Sequence, residues 1–286
     1  MTKKALLVGI NDYAPVGAGG PDLRGCVNDV RDMANTLNVL GIVPAAPRTM
    51  RILTDSRATR ANILTGLQWL LTGAKKGDVL VFYYSGHGSY VTDTSGDEVD
   101  GRDETICPHD FASAGMIKDD DIRSLLAGLP AGVNLDLILD SCHSGTMTRG
   151  TLHTVPGEEI RTARYIEPPI DYGFYVDAKP SLPTLGLLKK RGSSAGKSKE
   201  ISLAPGLNHV LWAGCRDNQT SEETMIGGAV RGIFTYHFCK VLRGAGPTIP
   251  RHRVDAQVCA NIRGAGYAQV PQLEGTKTAL LEKVFT

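Results

Sequence analysis

Short apolar runs alternate with longer amphipathic segments through the first half of the chain. The runs have strand length and few interruptions, which is typical of strands buried on both faces of a parallel sheet. They lie at residues 4–10, 49–53, 79–84 and 135–139. Between them, apolar residues recur at spacings of three and four, which predicts helices at 23–40, 59–73 and 119–127. The alternation predicts a three-layer α/β protein with a mostly parallel central sheet and helices on both faces.

The periodic pattern fades between residues 146 and 207 and then resumes. A strand is expected at 209–213, helices at 232–242 and 254–262, and a last extended segment at 279–285. Residues 187–200 are basic and rich in Gly and Ser, which predicts a flexible linker. Because the part beyond this linker has too few elements to close its own core, we expect a single domain over residues 1–286.

Composition and charge change this picture little. Hydrophobic residues make up 42% of the chain, and 31 basic against 30 acidic side chains leave a net charge of +1. This balance gives no electrostatic reason to expect nucleic acid or a membrane surface as a partner. No segment reaches the roughly 18 apolar residues of a membrane span.

The six cysteines are scattered without a C-x-x-C pair, so neither a zinc site nor a thioredoxin-like site is indicated. The first residues lack the long apolar run and the small-residue cleavage site of a secretory signal. We therefore expect reduced thiols and a cytoplasmic protein. No organic cofactor is expected.

Two of the predicted strands end in residues that suit nucleophilic catalysis. The strand at 79–84 runs into His87, which lies between two glycines, and the strand at 135–139 runs into Cys142. Ligands of open parallel sheets gather at the carboxyl ends of the strands, so these side chains are expected to meet. A thiol attacks as thiolate and needs a base, and the backbone N–H groups of Gly88 and Cys142 could bind an oxyanion. Taken alone, a cysteine such as Cys142 is more often a small buried hydrophobe than a nucleophile.

The same residues resemble the two catalytic motifs of metacaspases and their prokaryotic relatives, the orthocaspases, which are caspase-like cysteine peptidases. His87 precedes Cys142 by 142 − 87 = 55 residues, close to the roughly 50 of caspases. The resemblance is carried by residues 84–88 and 140–145, by the opening strand 5–11, by the first helix at 23–29, and by 269–273 near the end. It implies a monomer with a caspase-like fold, made of a large-subunit-like region (1–186), the linker (187–200) and a small-subunit-like region (201–286).

The resemblance also implies cleavage of peptides or proteins after Arg or Lys. The family's pocket for the basic side chain matches Cys26, Asp29, Ser85 and Asp140. Two carboxylates near the thiol would favour a cationic side chain, and Arg in particular could bind them in bidentate fashion. Without the resemblance, Asp29 could be an exposed helical charge and Asp140 a cap or turn residue.

A calcium site is a weaker expectation. The chain is acidic between residues 95 and 104 and again at 119–121, and calcium prefers six to eight oxygen ligands. The resemblance matches Asp103, Asp119 and Asp120 to calcium ligands, although a triplet of acids can simply stabilise a helix N-terminus. Arg149 stands where the family usually has a further acidic ligand, so calcium dependence is expected to be weak, altered or absent.

An Arg/Lys-selective peptidase would find candidate cleavage sites in its own linker. These are Lys189, Lys190, Arg191, Lys197 and Lys199. Two other functions are compatible with the sequence: a catalytically silent caspase-like interaction domain, and a thiol amidohydrolase or acyltransferase with a non-peptide substrate.

Overall fold

The structure is a computed structural model that describes residues 1–14, 22–92, 102–142, 161–166, 209–216 and 219–286. Its strands are β1 (Lys3–Gly9), β2 (Met50–Thr54), β3 (Val79–Ser85), β4 (Gly88–Thr92), β5 (Arg102–Ile106), β6 (Ile117–Lys118), β7 (Asn134–Asp140), β8 (Thr162–Ala163), β9 (His209–Ala213), β10 (Glu222–Ile226), β11 (Ala229–Gly232) and β12 (Gln272–Glu274). Its helices are α1 (Cys26–Val39), α2 (Arg60–Leu71), α3 (Phe111–Ala114), α4 (Asp119–Leu126), α5 (Ile233–Ala245), α6 (Arg251–Gly264) and α7 (Lys277–Leu281), with a 3-10 turn at Asp55–Arg57.

Six strands form the central sheet, in the order β12-β9-β7-β3-β1-β2. All neighbouring pairs are parallel except β12 with β9. Two smaller antiparallel sheets lie beside it, in the orders β4-β5-β6 and β11-β10-β8.

Side chains of the central strands alternate between two apolar cores. On β1, for example, Ala5 and Leu7 belong to one core, and Leu6 and Val8 belong to the other. Helices α1, α5 and α6 cover the first core, while α2 and α4 cover the second. This confirms the expected α/β class, in which a mostly parallel sheet is packed between two helical layers.

The register of the sheet brings the functional strand ends to one edge. Gly9 of β1 is paired with Ser85 of β3, and Ser85 is paired with Asp140 of β7. The residues that follow β3 and β7 therefore leave the sheet side by side, as expected for the carboxyl ends of neighbouring parallel strands.

The last element of the chain was predicted wrongly. Residues 279–285 were expected to be extended, but α7 forms there, and the Thr276 hydroxyl caps it by accepting a hydrogen bond from the Ala279 N–H at 3.2 Å. A short apolar run does not by itself distinguish a helical turn from a strand, and the cap decides between them. The two small antiparallel sheets had no counterpart in the predicted elements.

None of the helices in the described ranges has the length and apolar character that crossing a membrane requires. The six cysteines, all of them described, form no disulfide bond. The predicted linker, residues 187–200, lies outside the described residues.

Candidate active site

The Cys142 thiol lies at the carboxyl end of β7 and is fully buried. Its Sγ accepts a hydrogen bond from the Ser221 N–H at 2.6 Å and lies 3.2 Å from the Ser221 carbonyl oxygen. A thiol can donate to that carbonyl oxygen, whereas a thiolate would keep only the N–H bond. The Ser221 main chain, in the segment before β10, therefore contacts the sulfur through both its N–H and its carbonyl group.

The main chain at His87 is fixed by two buried tyrosines. The His87 N–H donates to the Tyr13 hydroxyl oxygen at 2.7 Å, and the Tyr84 hydroxyl donates to the His87 carbonyl oxygen at 2.7 Å. The Tyr13 ring lies 4.9 Å from the imidazole, centroid to centroid. Burial raises the pKa of both tyrosines well above the usual value, so the hydroxyls keep their protons. Gly86 leaves room for them, because a Cβ there would lie 2.5 Å from the Tyr84 oxygen and 2.7 Å from the Tyr13 oxygen.

Two backbone N–H groups from the two motifs point at one oxygen atom. The Gly88 N–H and the Cys142 N–H donate to the Arg164 carbonyl oxygen at 3.0 and 3.2 Å. These donors come from the ends of β3 and β7, so the strand ends converge on a single peptide group. Paired N–H donors around one carbonyl oxygen are the arrangement that stabilises an oxyanion during acyl transfer.

The guanidinium of Arg164 lies in an acidic pocket beside this carbonyl group and is fully buried. Its nitrogens lie 2.6 Å from the Asp29 carboxylate, 3.0 Å from Asp140 and 3.3 Å from Glu223. It also donates to the Ser85 hydroxyl at 2.8 Å. Three carboxylates around one guanidinium make a site that is selective for a cationic, planar group.

The surrounding main chain and hydroxyls hold the pocket carboxylates in position. The Gly232 N–H donates to Asp29 at 2.9 Å, and the hydroxyls of Ser221 and Thr235 donate to Asp140 at 2.5 and 2.6 Å. Burial raises the pKa of Asp29 to about 6, although the Arg164 guanidinium acts to lower it. Burial alone would lower the pKa of Arg164, but the neighbouring carboxylates outweigh it and raise that pKa well above its usual value.

Cys26, at the start of α1, completes the wall of the pocket. Its Sγ lies 4.0 Å from a carboxylate oxygen of Glu223. Burial raises the pKa of the Cys26 thiol well above its usual value, and the nearby carboxylates of Glu223 and Asp29 act in the same direction. The Cys26 side chain is therefore a neutral, compact wall residue rather than a second nucleophile.

The three expected calcium ligands contact basic side chains. Asp103 lies 2.8 Å from the Lys118 ammonium, and Arg123 lies 2.8 Å from both Asp119 and Asp120. In the described ranges, no group of three ligating side chains is close enough to hold a metal ion. The buried Oδ1 of Asp119 nevertheless has no hydrogen-bond partner among the described residues, which suits a cation as a further neighbour.

Sequence reasoning anticipated much of this constellation. The structure groups most of the predicted residues around Arg164: Asp29, Ser85 and Asp140 at its guanidinium, and Gly88 and Cys142 at its carbonyl oxygen. Cys26 lies near Glu223 in the same pocket, and His87 directly precedes Gly88. Arg149 and the proposed linker cleavage sites lie outside the described residues.

Several residues of the site were not predicted, among them Arg164, Ser221 and Glu223. Glu223 and Ser221 come from β10 and the segment before it, almost 200 residues after Asp29 in the chain. Arg164 follows the short strand β8, in a stretch without periodicity. Residues 161–164, Arg-Thr-Ala-Arg, do not alternate between two classes of side chain, so local sequence carries no strand signal here.

Comparisons with known proteins agree with this geometry. A family model described as "Metacaspase, peptidase C14 domain" matches residues 3–150. Metacaspase-1 of Ajellomyces capsulatus is 37% identical over 261 residues, covering 84% of this chain and 71% of that protein. Metacaspase-1 of Mycosarcoma maydis is 32% identical over an alignment of 305 residues, covering 99% of this chain and 72% of that protein. The crystal structure of protein GSU0716 from Geobacter sulfurreducens superimposes with a TM-score of 0.66 at 26% identity, covering 100% of this chain and 99% of that one.

Proposed function

Because the chain belongs to the metacaspase family of cysteine peptidases, we propose that it is an endopeptidase that cleaves peptide bonds after Arg or Lys. Cys142 is the nucleophile and His87 is the base. Asp29, Asp140, Glu223 and Ser85 bind the basic side chain.

The observation that carries this proposal is the full burial of the Arg164 guanidinium among three carboxylates, with its carbonyl oxygen on two N–H donors. A substrate residue needs the same two interactions at once, one for the side chain and one for the scissile carbonyl group. An Arg guanidinium in this pocket forms directed hydrogen bonds to several carboxylates at once, whereas a Lys ammonium would contribute a single point charge. Arg substrates should therefore be preferred to Lys substrates.

The residues have separate roles in the reaction. His87 takes the thiol proton of Cys142, and the thiolate attacks the carbonyl carbon of the basic residue. The N–H groups of Gly88 and Cys142 bind the oxyanion. His87 then donates the proton to the leaving amine, and water hydrolyses the thioester to release the carboxylate and restore the thiol.

Hydrolysis of short reporter peptides ending in Arg, Lys, Asp or Asn tests the proposal. We expect turnover of the Arg reporter, slower turnover of the Lys reporter, and none of either after Cys142→Ala. Turnover of the Asp and Asn reporters at rates similar to those of the Arg and Lys reporters would favour a thiol amidohydrolase or acyltransferase. No turnover under any condition would favour a silent interaction domain.

The remaining expectations from the sequence extend this proposal. Substrates are peptides or proteins with an accessible Arg or Lys, and the peptidase acts as a cytoplasmic monomer that cleaves itself in its basic linker. Calcium at Asp103, Asp119 and Asp120 stays part of the proposal, but these carboxylates would have to move together and exchange Lys118 and Arg123 for the ion.

A further inference from the structure

Residues 161–166 cross the candidate active site as an added strand. Within β8, Thr162 and Ala163 pair with Glu223 and Glu222 of β10 in antiparallel fashion. The next residue continues this pairing, since the Arg164 N–H donates to the Ser221 carbonyl oxygen at 3.0 Å. An extended peptide that joins a sheet edge through its main chain is a common mode of substrate recognition.

The chain is also held on the other side of Arg164. Tyr165 forms a parallel bridge with Gly88, and the Ile166 N–H donates to the Gly88 carbonyl oxygen at 3.0 Å. The Ile166 side chain is buried in the core that includes Tyr13. Main-chain bonds therefore flank the Arg164–Tyr165 peptide bond on both sides, while the Arg164 carbonyl group lies between the two N–H donors.

We propose that the Arg164–Tyr165 bond is a self-cleavage site, and that residues 161–166 block the acidic pocket until this bond is cut. The inference rests on the proposed function, because it uses the same thiol, base and pocket. It adds a cleavage site that lies outside the basic linker and is already bound in the manner of a substrate.

The step balances as an ordinary hydrolysis. The Cys142 sulfur leaves the Ser221 carbonyl oxygen, gives its proton to His87 and bonds to the Arg164 carbonyl carbon. The bond to the Tyr165 nitrogen breaks, and that nitrogen receives the proton from His87. Water then cleaves the thioester, so that one piece ends in the Arg164 carboxylate, the other begins with the Tyr165 amine, and the thiol is restored.

Cleavage would remove the restraint that keeps Arg164 in the pocket. Before the cut, the guanidinium competes intramolecularly with every substrate, at an effective concentration that a free peptide cannot easily match. After the cut, residues 165 and 166 no longer hold Arg164 from its carboxyl side.

The test follows the full chain made by cell-free translation, sampled over time and at several dilutions. Intact mass and N-terminal sequencing should identify a fragment that begins Tyr165-Ile166. Its formation should be first order and independent of dilution, because the segment is bound within its own chain.

Variants of the full chain separate the site from the linker. Cys142→Ala should remain intact. Arg164→Lys, which keeps the charge, should be cut at the same bond, and Arg164→Gln should be cut there about 10²-fold more slowly or not at all. Arg161→Gln is the matched control, because Arg161 lies on the same segment with its side chain 41% exposed. A variant with all five linker cations changed to Gln should still be cut after Arg164.

Activity on the Arg reporter distinguishes the two proposals. Arg164→Gln should turn over the reporter without a lag, whereas the wild-type chain should show a lag that ends as the cut accumulates. Immediate reporter turnover by the wild-type chain while its Arg164–Tyr165 bond stays intact would overturn self-cleavage here and leave the peptidase proposal standing. Absence of turnover in folded Arg164→Gln, checked by thermal melting, would overturn the peptidase proposal itself.

Discussion

The Asp29 carboxylate lies 2.6 Å from the Arg164 guanidinium, and neither side chain reaches solvent. Asp29 comes from α1 and is fixed by the Gly232 N–H, so the carboxylate is in place whether or not a guanidinium is present. The same preorganised carboxylate can therefore bind a substrate Arg after Arg164 has left.

Replacing Asp29 by Asn should abolish most of the selectivity for basic residues. Removing one partner of a buried ion pair costs about 3–5 kcal/mol, which corresponds to about 10²- to 4 × 10³-fold in kcat/KM for the Arg reporter. The measurement belongs in the Arg164→Gln background, where the pocket is open.

Asp32→Asn is the matched control for this variant. Asp32 lies one turn further along α1 and pairs with Arg231 at 2.7 Å, but its side chain is 24% exposed. A pair of this kind contributes about 0–1 kcal/mol, so kcat/KM should change by no more than a few-fold. Equal losses in the two variants would contradict a specific role for Asp29.

Binding of a guanidinium should weaken at low pH because of Asp29. Burial raises the pKa of this carboxyl to about 6 even with Arg164 beside it, and only the ionised carboxylate attracts a guanidinium. Binding of agmatine to the Cys142→Ala, Arg164→Gln double variant should therefore strengthen as pH rises through about 6 or slightly above. The dissociation constant for agmatine, measured by calorimetry, should be up to about tenfold larger at pH 5 than at pH 7.

The raised pKa of Asp29 affects folding stability in the opposite direction to guanidinium binding: stability falls as pH rises, whereas binding strengthens. A carboxyl whose pKa is raised in the folded state contributes stability below its ordinary pKa and loses that contribution as pH rises through about 6. Asp29→Asn should flatten both pH dependences. A binding curve with no change between pH 5 and 7, or one that Asp29→Asn leaves unaltered, would contradict this account.

The sequence predicted those parts of the site that are encoded by strands of the central sheet. Ser85, His87, Asp140 and Cys142 all lie within three residues of a buried apolar run, and parallel strands bring their ends to one edge. The predicted boundaries of β3 and β7 are within one residue of those observed. Periodicity and topology were sufficient for His87 and Cys142, whereas Ser85 and Asp140 were named from the resemblance to metacaspases.

The rest of the site depends on pairing between distant segments. Glu223 enters the pocket through an antiparallel strand that local patterns did not reveal, and it reaches the Arg24 N–H across 199 residues. Arg164 has one basic neighbour in its segment, Arg161, whereas self-cleavage was expected in the linker, where five basic residues lie within eleven positions. Charge density identifies an accessible segment, but strand pairing with β10 decides which Arg reaches the thiol.

Gly86 should be intolerant of any side chain. A Cβ at this position would displace the Tyr13 and Tyr84 hydroxyls, which fix the main chain at His87. Since a misplacement of 1 Å can cost about 10²-fold in rate, Gly86→Ala should lower kcat for the Arg reporter by that order while KM changes little. Gly128→Ala is the control, because a Cβ there would meet nothing within 4 Å. A larger change in KM than in kcat would contradict the positioning role.

Calcium, if it binds at Asp119, should bind weakly, because Arg123 and Lys118 already lie 2.8 Å from the carboxylates it would need. With a dissociation constant of about 1 mM, 10 mM calcium should stabilise the fold by about 1.4 kcal/mol. Asp119→Asn should remove this effect in denaturant unfolding, and Arg123→Met should enlarge it by removing the competing cation. Asp121→Asn is the control, since Asp121 on the same helix pairs instead with Arg60. Micromolar affinity for calcium in the wild-type chain would contradict competition by Arg123 and Lys118. Stabilisation by calcium that persists in Asp119→Asn would show that calcium binds elsewhere.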